Sequence, residues 1–456
     1  MSITNDNEKS ILINLESSII NLKNIEQLVD SVSDDVRFVL LGESTHGTHE
    51  FYKMRSEMTK LLVKKHNFQT ILVEGDWPCF YKINKYITSE KSSDNTAIEA
   101  MDGIKKVPLW MWRNSIISEL IEWLRNFNLE FNKNKDPIRM LGLDCYSLIQ
   151  SKKWLIAFLK LVDKDYAKVI KQRLSFLKHY KNENDYGKDV TQGKLSQHAN
   201  YIQQLFQKIL SEIQWDKMDT YLKRCDELGI DKFAAISAEQ CCEIMVNADE
   251  YYRKLYLEPP GSNASWNTRD QHMTMTIMRL QEQLQKISKT NKEQKIIVWA
   301  HNSHVKDAMA TSRGSQSFDE NNAWNLGQMV RSMFGKDKVK IFGFHTYTGT
   351  VTASSKWNEP CMKFELKKAI DESCENFFHK VAVLNNMKQF FINTNKIEGN
   401  FFTTPRIQRY IGVNYLPDNE LRSHYEKGKI GEQYDVIVFV DETTALKELD
   451  TGIWKR

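Results

Sequence analysis

The sequence predicts an α/β protein: a mostly parallel central sheet flanked by helices, with a large helical insertion covering the ligand-binding end of the sheet. Three observations lead there. Short apolar runs recur, and each stops abruptly on polar or acidic residues: Arg37–Leu41, Thr70–Val73, Ile138–Leu143 and Lys295–Ala300. Between the first two runs, Phe51, Met54, Met58, Leu61 and Leu62 fall at helical spacing, so strand and helix alternate as they do in parallel sheets. From 148 to 290 strand signals vanish and long amphipathic helical patterns take over. The chain therefore divides into a first part of the core (1–147), a helical cover (148–290) and a second part of the core (291–456).

In chain order, residues 10–31 carry Ile11, Leu12, Leu15, Ile19 and Leu22 at near-helical recurrence, which predicts one or two short helices. The first strand ends on Gly42-Glu43-Ser44-Thr45-His46-Gly47, and Thr48 can cap the helix that follows. The second strand ends on Glu74-Gly75-Asp76-Trp77. A strand–helix–strand unit of this kind makes its strands parallel. Glu43, His46 and Glu74 then share the carboxyl end of one sheet, where open α/β sheets place ligands.

A helix runs from Trp77 to about Ile87. Trp110 and Trp112 beside Arg113 are candidates to line a pocket, and a helix from Ser115 to Phe131 shows an apolar stripe of Ile117, Leu120, Ile121 and Leu124. The third strand ends on Asp144, at the same sheet end. Glu258-Pro259-Pro260-Gly261-Ser262 is a loop, and Asn267, Arg269 and Asp270 open a long helix. Strand signals return at Lys295–Ala300 and end on His301-Asn302-Ser303-His304, again an apolar run with a polar tip. Met245 reads as core filler. Beyond this the chain looks like scaffold: a helix over Leu326–Phe334, strands at Val339–Phe344, Ala382–Leu384 and Asp435–Val440, and a hairpin entered at Thr346–Thr352.

Composition narrows the classes. The 456 residues are 41% hydrophobic, enough for a sizeable core. The 63 basic and 59 acidic residues are mixed along the chain, which offers no concentrated basic face for nucleic acid. The 7 cysteines form no CxxC pair, arguing against a disulfide framework or zinc ribbon and for a reducing cytoplasm. Met1–Lys9 is polar, without a secretory h-region, and no apolar run is long enough to span a membrane. There is no GxSxG elbow, P-loop, GxGxxG after a strand, or HExxH, so a covalent serine hydrolase is poorly supported. Oligomeric state is not legible.

Two carboxylates and an imidazole in one crevice form an acid–base apparatus. Neutral His46 would take a proton from water as it attacks an ester, with Glu74 or Glu43 orienting the ring. Arg55, His301 or His304 would supply donors to the oxyanion.

Gly42–Phe51, Arg55, Val73–Trp77, Gly142–Tyr146, Asn267-x-Arg269-Asp270 and His301-x-x-His304 together resemble the erythromycin esterase family, by motif over roughly residues 30–350. The resemblance implies hydrolysis of the lactone ester of 14-membered macrolides, which inactivates the antibiotic. It implies no cofactor and no partner beyond the small-molecule macrolide and water. Its important residues carry over to Glu43, His46, Arg55, Glu74, His301 and His304. Trp77, Trp110, Arg113, Asp144 and Arg269 are assigned to substrate binding. Two alternatives stay open: a metal-dependent hydrolase using the same Glu and His residues, and a non-enzymatic binder of a large apolar ligand.

Overall fold

The computed structural model describes residues 6–449, apart from 90–91, 106–107, 132–134, 290–292, 312–313, 315–321, 358 and 397–399. Met1–Asn5, part of the segment inspected for a signal sequence, and the boundary drawn at 290 lie outside them.

The strands are β1 (Ile20–Asn21), β2 (Phe38–Leu41), β3 (Thr70–Asp76), β4 (Arg139–Asp144), β5 (Ile296–Trp299), β6 (Val339–Ser354), β7 (Cys361–Leu366), β8 (Gln389–Asn393), β9 (Arg406–Arg409), β10 (Tyr425–Gly428) and β11 (Val436–Thr443). Nine of them form one sheet in the order β1-β8-β11-β6-β2-β5-β3-β4, with β7 paired to β6. The run from β11 to β4 is parallel throughout. β8 and β7 pair antiparallel, as does the short edge strand β1. The expected parallel unit is present, but β2 and β3 are not neighbours: β5 lies between them, with Leu41 and Val73 both in register with Trp299.

Alternation along the inner strands divides the apolar core. Phe38, Leu40, Leu72, Leu141 and Val298 face one layer, where the helices Leu148–Val162, Phe233–Leu257 and Ala264–Ile287 pack. Val39, Leu41, Ile71, Val73 and Trp299 face the other, with His49–His66 and Ser115–Phe131. Strands buried on both faces explain the unbroken apolar runs that marked them in the sequence. His49–His66 ends where Asn67 turns left-handed at φ 56°, a conformation asparagine tolerates.

The stretch after Asp144 is helical to Ile287, and Met245 is core filler. Two short helices, Asp6–Glu16 and Glu26–Val29, begin the chain. The hairpin after Thr346 is β6–β7. One expected strand is wrong: Ala382–Leu384 ends the helix Cys374–Leu384. There Phe377, Phe378, Val381 and Ala382 are buried at helical spacing, a pattern that a three-residue window cannot reveal. Among the described residues no helix is long and apolar enough to cross a membrane.

Candidate active site

The carboxyl ends of β2, β5, β3 and β4 lie side by side and open on a cavity of about 650 Å³. The turn after β2 is tightly seated. A Cβ on Gly42 would lie 2.0 Å from Asn302 Oδ1, and one on Gly47 1.8 Å from the Thr352 carbonyl oxygen, so neither position has room for a side chain. Ile411 donates its N–H to Ser44 O at 2.7 Å and accepts from His46 N at 3.1 Å. His46 is thus set by a segment more than 360 residues further along the chain.

His46 Nδ1 donates to Glu43 Oε1 at 2.9 Å. The other Glu43 oxygen accepts from Arg55 Nη2. Arg55 is fully buried, its guanidinium 4.5 Å from the Tyr52 ring and 4.7 Å from that of Trp299. It does not line the cavity, so it braces Glu43 from behind and is not placed to meet an oxyanion. His46 Nε2 faces Glu74 Oε1 at 3.9 Å.

Glu74 is the hub. Its Oε2 accepts the His301 backbone N–H at 2.8 Å, and its Oε1 accepts from Arg269 Nη2 at 2.7 Å. Arg269 also forks onto both Asp144 oxygens at 2.7 and 2.8 Å. Burial alone would raise the Glu74 carboxyl, but His304, Arg269 and His46 outweigh it and hold the group well below the ordinary carboxylate range.

The rings of His46 and His301 stand with centroids 4.7 Å apart. His301 Nδ1 accepts from Ser303 N–H at 3.3 Å, so Nε2 carries the proton and faces Ser44 O at 3.3 Å. Burial, then the fields of His46 and His304, push His301 well below the 6.5 of free imidazole. It is therefore neutral in the fold and must take up a proton on unfolding in acid. The sign is fixed: stability falls as pH drops below 6.5. Melting temperature should decline between pH 7 and 5, and less steeply in His301→Asn. Equal slopes in the two proteins would rule out a neutral buried His301.

His304 Nδ1 donates to Asp270 Oδ1 at 2.7 Å, and its ring stacks on Trp266 at 4.4 Å. Burial opposes its charge, yet Asp270 and Glu74 raise it to about 9. The 2.7 Å contact from Arg269 Nη1 needs a lone pair on Nε2, which imidazolium lacks. A neutral ring accepts from Arg269 there; the charged ring instead points its Nε2–H at Glu74 Oε1, 3.3 Å away, and adds to the charges that hold Glu74 ionised.

Of the eleven expected residues, His46, Glu74, Asp144, Arg269, His301 and His304 line the cavity, and Glu43 and Arg55 stand behind them. Three do not come to it. Trp77 is fully buried, with Nε1 donating to Ser237 Oγ. Trp110 is buried in the opposite layer. Arg113 is buried and pairs with Asp102 at 3.3 Å. Trp112 takes the place expected for Trp110, donating Nε1 to the Glu74 carbonyl at 3.1 Å. The sequence reading missed Asp270, Trp266 and the wall formed by Tyr410, Gly412, Val413 and 422–426. Of the helical insertion, Gly261–Asn263, Trp266 and Arg269 reach the cavity. Among the described residues no three His, Cys, Asp or Glu side chains are grouped to hold a metal ion.

The sequence model of the family described as erythromycin esterase matches residues 63–443. The chain belongs to the erythromycin esterase family. The match starts after the Gly42–Phe51 motif and runs well past residue 350, so the erythromycin esterase region includes the 410–426 wall that read as scaffold. An erythromycin esterase type II from Escherichia coli is 20% identical, over 90% of this chain and 90% of its own. A putative hydrolase, YbfO, from Bacillus subtilis is 22% identical, over 90% and 84%. The crystal structure of a succinoglycan biosynthesis protein superposes with a TM-score of 0.70 at 19% identity, covering 97% of this chain and 99% of that one. An erythromycin esterase mutant in its open conformation gives 0.62 at 16%, covering 97% and 98%. Together these establish the erythromycin esterase fold, with its mostly parallel sheet among many helices.

Proposed function

We propose that this protein hydrolyses the lactone ester of 14-membered macrolides of the erythromycin type and so inactivates the antibiotic. The observation that supports this most is the Arg55–Glu43–His46 relay, which ends at the wall of a large cavity with Glu74 across from the free ring nitrogen. The 3.9 Å between His46 Nε2 and Glu74 Oε1 is too wide for a direct hydrogen bond and suits a bridging water.

In this reading His46 Nε2 takes a proton from that water as its oxygen bonds to the ester carbonyl carbon. Glu43 and Glu74 stabilise the imidazolium that forms. Glu74, kept ionised by its neighbours, is a weak base and a good electrostatic partner. Arg269 faces the cavity and offers positive charge to the tetrahedral oxyanion, worth on the order of 3 kcal/mol for a well-placed donor. Collapse breaks the ring C–O bond, and His46 returns its proton to the leaving alkoxide. The product is a linear hydroxy acid carrying one added water. The apolar part of the lining, with Trp112, Trp266 and Trp324, fits a macrolide ring.

Erythromycin incubated with the protein should gain the mass of one water, at a rate unchanged by a chelator. An unchanged mass with measurable binding would favour sequestration. Loss of activity with the chelator, restored by one metal, would favour the metal-dependent alternative.

A further inference from the structure

A second concavity of about 600 Å³ lies away from the cavity, between the helix Leu148–Val162 and the segment 171–181. Lys152, Lys153, Lys160, Lys171, Lys178 and Lys181 line it, over an apolar strip that includes Ile149, Ile156 and Leu177. No Asp or Glu is among its lining residues. Elsewhere the protein pairs many of its surface lysines, as in Lys168–Asp165, Lys232–Asp226 and Lys429–Glu432. Among the described residues, none of the six groove lysines is joined to a carboxylate.

Lys152 sharpens the point. It is only 8% exposed and still has no ion-pair or hydrogen-bond partner among the described residues. Its stem is covered while its ammonium reaches the groove, as long basic side chains do. Burial, then the neighbouring charges of Lys153 and Lys178, press its ammonium below the usual lysine range. A compositional excess of lysine would place such residues in solvent, at no electrostatic cost. Setting its ammonium beside Lys153 and Lys178, in a groove with no carboxylate, is explained by an anion that completes the site.

We infer that this groove binds a small anion bearing several phosphate groups, with Lys152 and Lys178 as its inner contacts. The opposed lysines across the groove match a chain of negative charge better than one isolated ion. The apolar strip leaves room for a flat organic group attached to it. A free polyphosphate and a nucleoside triphosphate share this chemistry, and the experiment separates them.

Isothermal titration of the full chain with sodium tripolyphosphate, and separately with ATP, should show one saturable site. Affinity should fall at least tenfold in the Lys152→Gln, Lys178→Gln double variant. The control Lys363→Gln, on an exposed strand away from the groove, should bind as wild type. Both ligands should raise the melting temperature of the wild type and not of the double variant, whose circular dichroism stays native. Equal affinities for the two would assign the site to the phosphate chain, and tighter ATP to a nucleotide. Absence of saturable binding by either, or unchanged affinity in the double variant, would overturn the inference.

Discussion

Replacing His46 by Asn is expected to lower kcat by about 10²- to 10⁴-fold, the usual contribution of a positioned acid–base group, with melting temperature and macrolide binding near those of wild type. The substitution leaves the fold alone because His46 lies at the cavity wall, where the smaller asparagine fits. Its backbone N–H still bonds Ile411 O, and an amide can still reach Glu43. What vanishes is the basic nitrogen across from Glu74. Rates are read from the appearance of the water-adduct mass, and binding from titration of intact erythromycin. A variant that turned over at the wild-type rate would take His46 out of the reaction.

Arg269→Met should be the most damaging substitution for stability. The guanidinium touches Glu74, both oxygens of Asp144 and His304 at once, while the Tyr146 ring lies 4.9 Å from it. Its loss leaves two buried carboxylates without their shared cation, a change that costs about 3–5 kcal/mol. The urea midpoint should fall accordingly, and turnover should fall too, because Glu74 loses one of the charges that keep it ionised. Arg269→Lys should recover only part of either loss, since an ammonium cannot fork onto Asp144 while also reaching Glu74 and His304. An unchanged midpoint in the methionine variant would show that the three partners do not depend on this residue.

The strand tips were legible in the sequence because each combines two strong signals, an apolar run buried on both sheet faces and an abrupt polar end. That grammar located Glu43, His46, Glu74, Asp144 and His301 at one sheet edge. It could not identify Asp270 as the partner of His304. Asp270 sits in a helix, next to Arg269, and an acid–base pair of neighbours looks like any helix start. The 410–426 wall carried no signal either, because it consists of a loop, the short helix Glu420–His424 and the start of β10, whose role comes only from where the chain returns. The tryptophans near 110 show the limit of composition. Trp110 and Trp112 are two apart on a short helical turn and so point in different directions, one into the core and one to the cavity. Arg55 stood out as part of the motif, but whether it faced a ligand or a carboxylate depended on the depth of its helix face, which spacing does not reveal.

The insertion of β5 between β2 and β3 bears on how the chain reaches its native state. During synthesis β2 and β3 emerge long before Ile296–Trp299, and the whole helical stretch is made in between. Until that late strand arrives, the slot it will fill has two unsatisfied edges, and a direct zippering of β2 onto β3 is a competing trap. Productive folding must leave that gap open or undo the wrong pairing. A fragment that stops short of residue 296 would therefore lack more than two histidines: it would have no continuous sheet on which to mount the others.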